Sequence, residues 1–181
     1  MGKLKMSGLI TGGLAVALSM TVPGHAQEPR PRPDFSGTWV FDQEGTDGAA
    51  TPTRVATNIF GASFVAHQDA KTLTFDITVA AGTVVKASYA LDGTETKNVS
   101  PPQVPGAEPI VVTAKSKWVG DQLLIESRSQ QPATGYGGEA MVIDVVSTRT
   151  IWLGATGKLV IDRDGTPKQV VQSTRSVYKR Q

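Results

Sequence analysis

Asp34-Phe35-Ser36-Gly37-Thr38-Trp39-Val40-Phe41 is the stretch from which the fold is read. It is the first strand-like run after a proline-rich leader, and it carries the only Gly-Thr-Trp of the chain. Aromatic and aliphatic residues alternating with small polar ones suit a strand with one buried face, and Gly37 lets another group approach closely. Further runs repeat the two-residue period. Leu73, Phe75, Ile77 and Val79 share one face, while Thr72, Thr74, Asp76 and Thr78 share the other. After the Ala81-Gly82 turn, Val85, Ala87, Tyr89 and Leu91 form the next apolar face, and Asp92-Gly93 is a hairpin signal.

Beyond these, Ser100 to Pro109 holds four prolines, which excludes a central strand and makes this loop a candidate lid. Ile110 to Trp118, Gln122 to Arg128, Ala140 to Leu153, Lys158 to Arg163 and Gln169 to Lys179 read as strands. Glycine turns join them, Asp164-Gly165 the last. Asp42 to Thr53 reads as a long loop, and Arg54 to Phe60 as a helical turn or a short strand. Eight or nine strands in sequential hairpins, with no amphipathic helix, predict an all-β fold: an antiparallel up-and-down barrel.

Met1 to Ala26 reads as a secretory signal peptide. Lys3 and Lys5 are its positive end, Leu9 to Met20 its apolar run, and Gly24-His25-Ala26 its cleavage site. The apolar run is too short for a membrane span. Residues 27–33 form a proline-rich tether and 34–181 one domain, expected to be soluble in a periplasm or outside the cell. The formal net charge of +2 loses Lys3 and Lys5 with the leader. What remains is near neutral and lacks the basic excess that a nucleic-acid partner requires. With no cysteine, disulfides, thiolate metal sites and thiol catalysis are excluded.

At Gly37-Thr38-Trp39 the chain resembles a lipocalin or calycin first strand. Together with Tyr89-Ala90-Leu91-Asp92-Gly93, Trp118-Val119-Gly120-Asp121-Gln122-Leu123, Gly157-Lys158-Leu159 and Val177-Tyr178-Lys179-Arg180, it resembles exported bacterial lipocalin-like proteins of uncharacterised function. The resemblance implies a barrel with an internal cavity. It also implies that Trp39 plugs the closed end under a cation from the last strand, either Arg175 or Arg180.

Alternation turns Phe75, Tyr89 and Trp118 inward, so these aromatics either pack the core or line a pocket for a small, mainly apolar ligand. Arg149 is in phase with Met141, Ile143, Val145, Ile151 and Leu153. A guanidinium turned inward needs a partner, Asp76 or Glu126 for example, or an anionic ligand; a bulge near Ser147 is the alternative. His67 stands without a second histidine or a carboxylate cluster, and no cofactor or metal motif is present. No nucleophile and base pair is assembled by any motif. Two functions are therefore expected to compete: a small-molecule carrier, or a barrel with a filled core that acts through its surface in the cell envelope.

Overall fold

The computed structural model describes residues 31–48, 55–56, 59–79, 82–101, 108–135 and 137–181. The expected signal peptide, most of the tether and residues 102–107 of the proline-rich loop lie outside them. The chain divides into a short unit, Met1–Pro31, and a compact unit, Arg32–Gln181, which carries all the described elements. Among the described residues no helix is long and apolar enough to cross a membrane.

The strands run β1 (Gly37–Phe41), β2 (Val55–Ala56), β3 (Ser63–Gln68), β4 (Thr72–Thr78), β5 (Val84–Ala90), β6 (Thr96–Ser100), β7 (Ile110–Val119), β8 (Gln122–Thr134), β9 (Ala140–Leu153), β10 (Leu159–Thr166) and β11 (Thr174–Arg180). Their order in the sheet is β5-β4-β3-β1-β11-β10-β9-β8-β7-β6, with β2 parallel to β11 at one end. Every other pairing is antiparallel. The fold is thus the up-and-down antiparallel barrel expected, with ten strands in the circuit.

Three local expectations are corrected. Gln43–Gly48 is a short helix, α1, where a loop was expected. Asp42 caps it, its Oδ1 accepting from the Gly45 N–H at 3.2 Å. Asp164-Gly165 is not a turn: β10 runs through it to Thr166, because Gly165 faces Ser147 of β9 with no room for a side chain. Lastly, Asp92-Gly93 does turn the chain, with Gly93 at φ 88°, but β5 and β6 on either side share no backbone ladder. The Asn98 side chain bridges that seam, accepting from the Ser88 N–H at 2.7 Å and donating to the Ser88 carbonyl at 3.1 Å. Nearby, Ser116 Oγ donates to the Ala90 carbonyl at 2.5 Å.

One end of the barrel is filled. Trp39 is wholly buried, its Nε1 donating to the Phe35 carbonyl at 2.8 Å, and the Arg180 guanidinium lies 4.9 Å from the ring centroid. Gly37 is at φ 129°, a backbone conformation that other residues rarely adopt, and Arg180 lies in van der Waals contact beside it, its Nε 3.6 Å from where a Cβ would stand. The cation over the plug is therefore Arg180, not Arg175. Arg175 falls on the outer face of β11, where it forms a bidentate pair with Asp162 (2.5 and 2.6 Å) and covers Trp152. Above the plug, Phe64, Phe75, Leu73, Leu123, Ile125, Ile151, Leu159, Ile161 and Tyr178 form a close-packed layer.

Candidate functional site

Among the described residues, none fills the other end of the barrel. The segment before β3 enters the lumen at Ile59 and Phe60, held by two hydrogen bonds from its backbone: the Ile59 N–H to Ser176 Oγ at 3.0 Å and the Phe60 N–H to the Tyr178 hydroxyl at 2.9 Å. Phe60 packs on Phe64 and Phe75, so its ring closes the core layer from above. Over it opens a cavity of about 630 Å³, reaching toward the end where β4–β5 and β6–β7 connect.

Its walls differ in chemistry. Ile77, Val85 and Ala87 from β4 and β5, Val79 just past β4, and Ile110 and Val112 from β7 make a mainly apolar side, which also carries Lys86 and, from β6, Asn98 and Ser100. Ser127, Ser129 and Gln131 of β8, Ser147 and Arg149 of β9 and Arg163 of β10 make a polar side. The difference follows from strand alternation. The inward positions that carry Leu123, Ile125, Ile151, Leu159 and Ile161 near the plug carry serine, glutamine and arginine further along the same strands. The Ser127 and Ser147 hydroxyls share one hydrogen bond at 2.9 Å, which uses the hydrogen of only one of them.

At the base of the polar side, Arg149 and Arg163 are cross-strand partners and both point inward. The Nε of each is buried and has no hydrogen-bond partner. Arg149 stacks over Phe60, its guanidinium carbon 5.6 Å from the ring centroid. Burial first, and then the neighbouring Arg149 cation, pull Arg163 below the usual guanidinium range. The carboxylates suggested as partners lie elsewhere: Asp76 meets His67 and Lys86, and Glu126 meets Lys117.

Of the four residues expected to line a pocket, Tyr89 and Arg149 do so. Phe75 is one layer too deep: wholly buried, it touches Phe60, Phe64 and Tyr89 from below. Trp118 is at the opposite end, stacked on Phe35 at 5.7 Å with the Arg32 guanidinium over its ring. Alternation sets which face of a strand a residue occupies, and both aromatics do face inward; depth along the barrel is a second coordinate that alternation leaves open. Sequence reasoning missed Arg163 and the serine stripe, although each shares its parity with buried neighbours: Arg163 ends the strand expected over Lys158 to Arg163, and serines carry no apolar signal of their own. Among the described residues, no group of three or more His, Asp or Glu is placed to hold a metal ion.

Fold and site together define the class: an up-and-down β-barrel that, among the described residues, is packed at one end and open at the other, with two arginines beside a phenylalanine floor. The chain matches no protein-family model, and no curated protein matches it.

Proposed function

We propose that the protein is an exported, lipocalin-like carrier that binds a small, mainly apolar molecule in the open half of its barrel. The observation that carries this reading is the division of the lumen. A barrel evolved only for stability fills its interior, whereas here packing stops at Phe60 and leaves about 630 Å³ beside an apolar wall. That volume lies within the roughly 300–1,000 Å³ typical of small-molecule pockets. A second feature supports it: of the large hydrophobic residues exposed among the described residues, all but Val119 (Val79, Val84, Val99, Val111, Met141, Val142 and Val170) lie toward the hollow end. The rival reading requires a filled interior, and the filled part is confined to the Trp39 end.

The test is saturable binding of a solvatochromic apolar dye, compared with an Ala87→Phe variant that puts a ring into the apolar side. The expected result is one site per chain, with affinity lowered at least about tenfold in the variant while the thermal midpoint is kept. Dye binding that does not saturate, or that Ala87→Phe leaves unchanged, overturns the proposal.

A further inference from the structure

We infer that Arg149 and Arg163 form a binding site for the head group of an amphipathic carboxylate whose apolar body lies against the β4–β5–β7 side of the cavity. The inference rests on the cavity being a ligand site, and it names the ligand's chemistry.

Two cations set side by side on neighbouring strands repel one another, and both have given up water at Nε without gaining a protein partner. Guanidinium groups do not escape such a position by losing a proton. Among the described residues no carboxylate forms an ion pair with either of them; Asp162, adjacent to Arg163 in sequence, faces outward and is engaged by Arg175. A folded protein tolerates an uncompensated pair of this kind where it serves binding, since an anion entering between the cations relieves the repulsion and fills the vacant donors at once. The planar two-oxygen head of a carboxylate matches the fork of a guanidinium. A larger oxyanion needs further donors, and of the two hydroxyl hydrogens that Ser127 and Ser147 offer beside the pair, one is already used between them.

The rest of the molecule is fixed by what faces the pair. Phe60 forms the floor beside Arg149, and from there Ala87, Val85 and Ile77 on one wall and Val112 and Ile110 on the other lead away toward the hollow end. An apolar chain anchored by its head at the arginines is thus directed along hydrocarbon toward the opening. A neutral ligand of the same shape gains the hydrocarbon contact but leaves both guanidiniums unpaired.

The experiment is displacement of the bound dye by dodecanoate, 1-dodecanol and dodecyl phosphate, on the wild type and on Arg149→Gln/Arg163→Gln. Dodecanoate is expected to bind the wild type about 10- to 100-fold more tightly than dodecanol, and the double variant should lose that preference while still binding dodecanol. Equal affinity for dodecanoate and dodecanol in the wild type overturns the anion site but leaves the apolar carrier standing. Tighter binding of dodecyl phosphate than of dodecanoate overturns the choice of carboxylate, and failure of all three to displace the dye overturns the carrier as well. The wild-type comparison needs no variant, so it decides even if the double variant does not fold. Arg163→Met supplies an independent readout: relief of the like-charge contact should raise the thermal midpoint without ligand, and the rise caused by dodecanoate should shrink. A lowered midpoint with an undiminished dodecanoate response overturns the assignment of Arg163.

Discussion

The Asn98 carboxamide spans the one seam in the barrel and binds both backbone groups of Ser88, at 2.7 and 3.1 Å, in place of a ladder rung. Every other pair of neighbours in the circuit is joined by a backbone ladder; between β5 and β6 this side chain takes the place of one, with the Ser116–Ala90 hydrogen bond beside it. A side chain can be deleted where a backbone cannot, which makes this closure testable.

Asn98→Ala leaves the Ser88 N–H and carbonyl unpaired at a half-buried site. We expect it to cost roughly 1–3 kcal/mol in urea unfolding. Amide exchange at Ser88 should quicken, while exchange at Val160 and Ile161 on the far side of the barrel follows only the global loss. Asn98→Asp retains the acceptor for the N–H but sets a carboxylate oxygen against the Ser88 carbonyl, so it should be less stable than Asn98→Ala at pH 7. Equal stability of all three proteins would show that the seam is held without Asn98, by packing and the Ser116–Ala90 hydrogen bond.

At the filled end, Trp39 and Arg180 contribute unequally. Trp39→Phe removes buried volume and the hydrogen bond to the Phe35 carbonyl, an expected loss of about 2–3 kcal/mol. Arg180→Ala removes an exposed cation from the ring face, for which about 0.5–1 kcal/mol is expected. Chemical denaturation of both variants checks the order, and a larger loss from Arg180→Ala would mean that the cation, rather than the indole, closes this end.

Tyr178 supports the cavity floor. Burial pushes its hydroxyl up to about 12, against an ordinary value near 10, although the hydrogen bond from the Phe60 N–H works the other way. The folded value is the higher one, so its contribution to stability is fully present below pH 10 and is lost as pH rises toward 12. Absorbance titration of tyrosinate should show a late step that belongs to Tyr178. Tyr178→Phe should remove that late step, cost about 1–3 kcal/mol at neutral pH by orphaning the Phe60 N–H, and weaken dye binding through a looser floor.

Acid acts through Asp42 and Asp164. The Lys158 ammonium, 2.6 Å away, and next the Gly45 N–H hold the Asp42 carboxyl below the usual range. Lys168, and next the Ser173 hydroxyl, bring Asp164 down to about 2. Both folded values are depressed, so the stability they contribute is present above about pH 4 and disappears as pH falls toward 2. Asp164 is half exposed and solvent screening keeps its share below about 1 kcal/mol. Asp42→Asn, which keeps the α1 cap, should flatten the stability–pH curve below pH 4. Asp42→Ala should lose a further ~1 kcal/mol with the cap. Parallel curves for the wild type and Asp42→Asn would remove Asp42 from the acid transition.

How much was legible in advance depended on the range of the interaction. Leu73, Phe75, Ile77 and Val79 announce a half-buried strand by themselves, since a two-residue period is a local property of an extended chain. The sealed end at Trp39 was legible only through the resemblance of Gly37-Thr38-Trp39 to a lipocalin first strand. The choice between Arg175 and Arg180 was not local: residues 175 and 180 have opposite parity on β11, and the pairing with β10 and β1 decides which one faces the indole.

The amino-acid sequence by itself determined the all-β class, the sequential antiparallel meander and the inward direction of Phe75, Tyr89 and Trp118; for Arg149 it left a bulge near Ser147 as the alternative, and it expected eight or nine strands where ten form the circuit. What it determined follows from alternation and turn chemistry within a few residues. Only the tertiary structure decided that Asn98 closes the circuit, that Phe60 turns into the lumen as a floor, that Trp118 and Tyr89 lie on opposite sides of the packed layer, and that Arg163 stands beside Arg149. Those relations depend on register and on depth along the barrel. Both are set by hydrogen bonds and packing between segments distant in the chain, as in the pairing of Tyr178 with Phe60, and so no short stretch of sequence contains them.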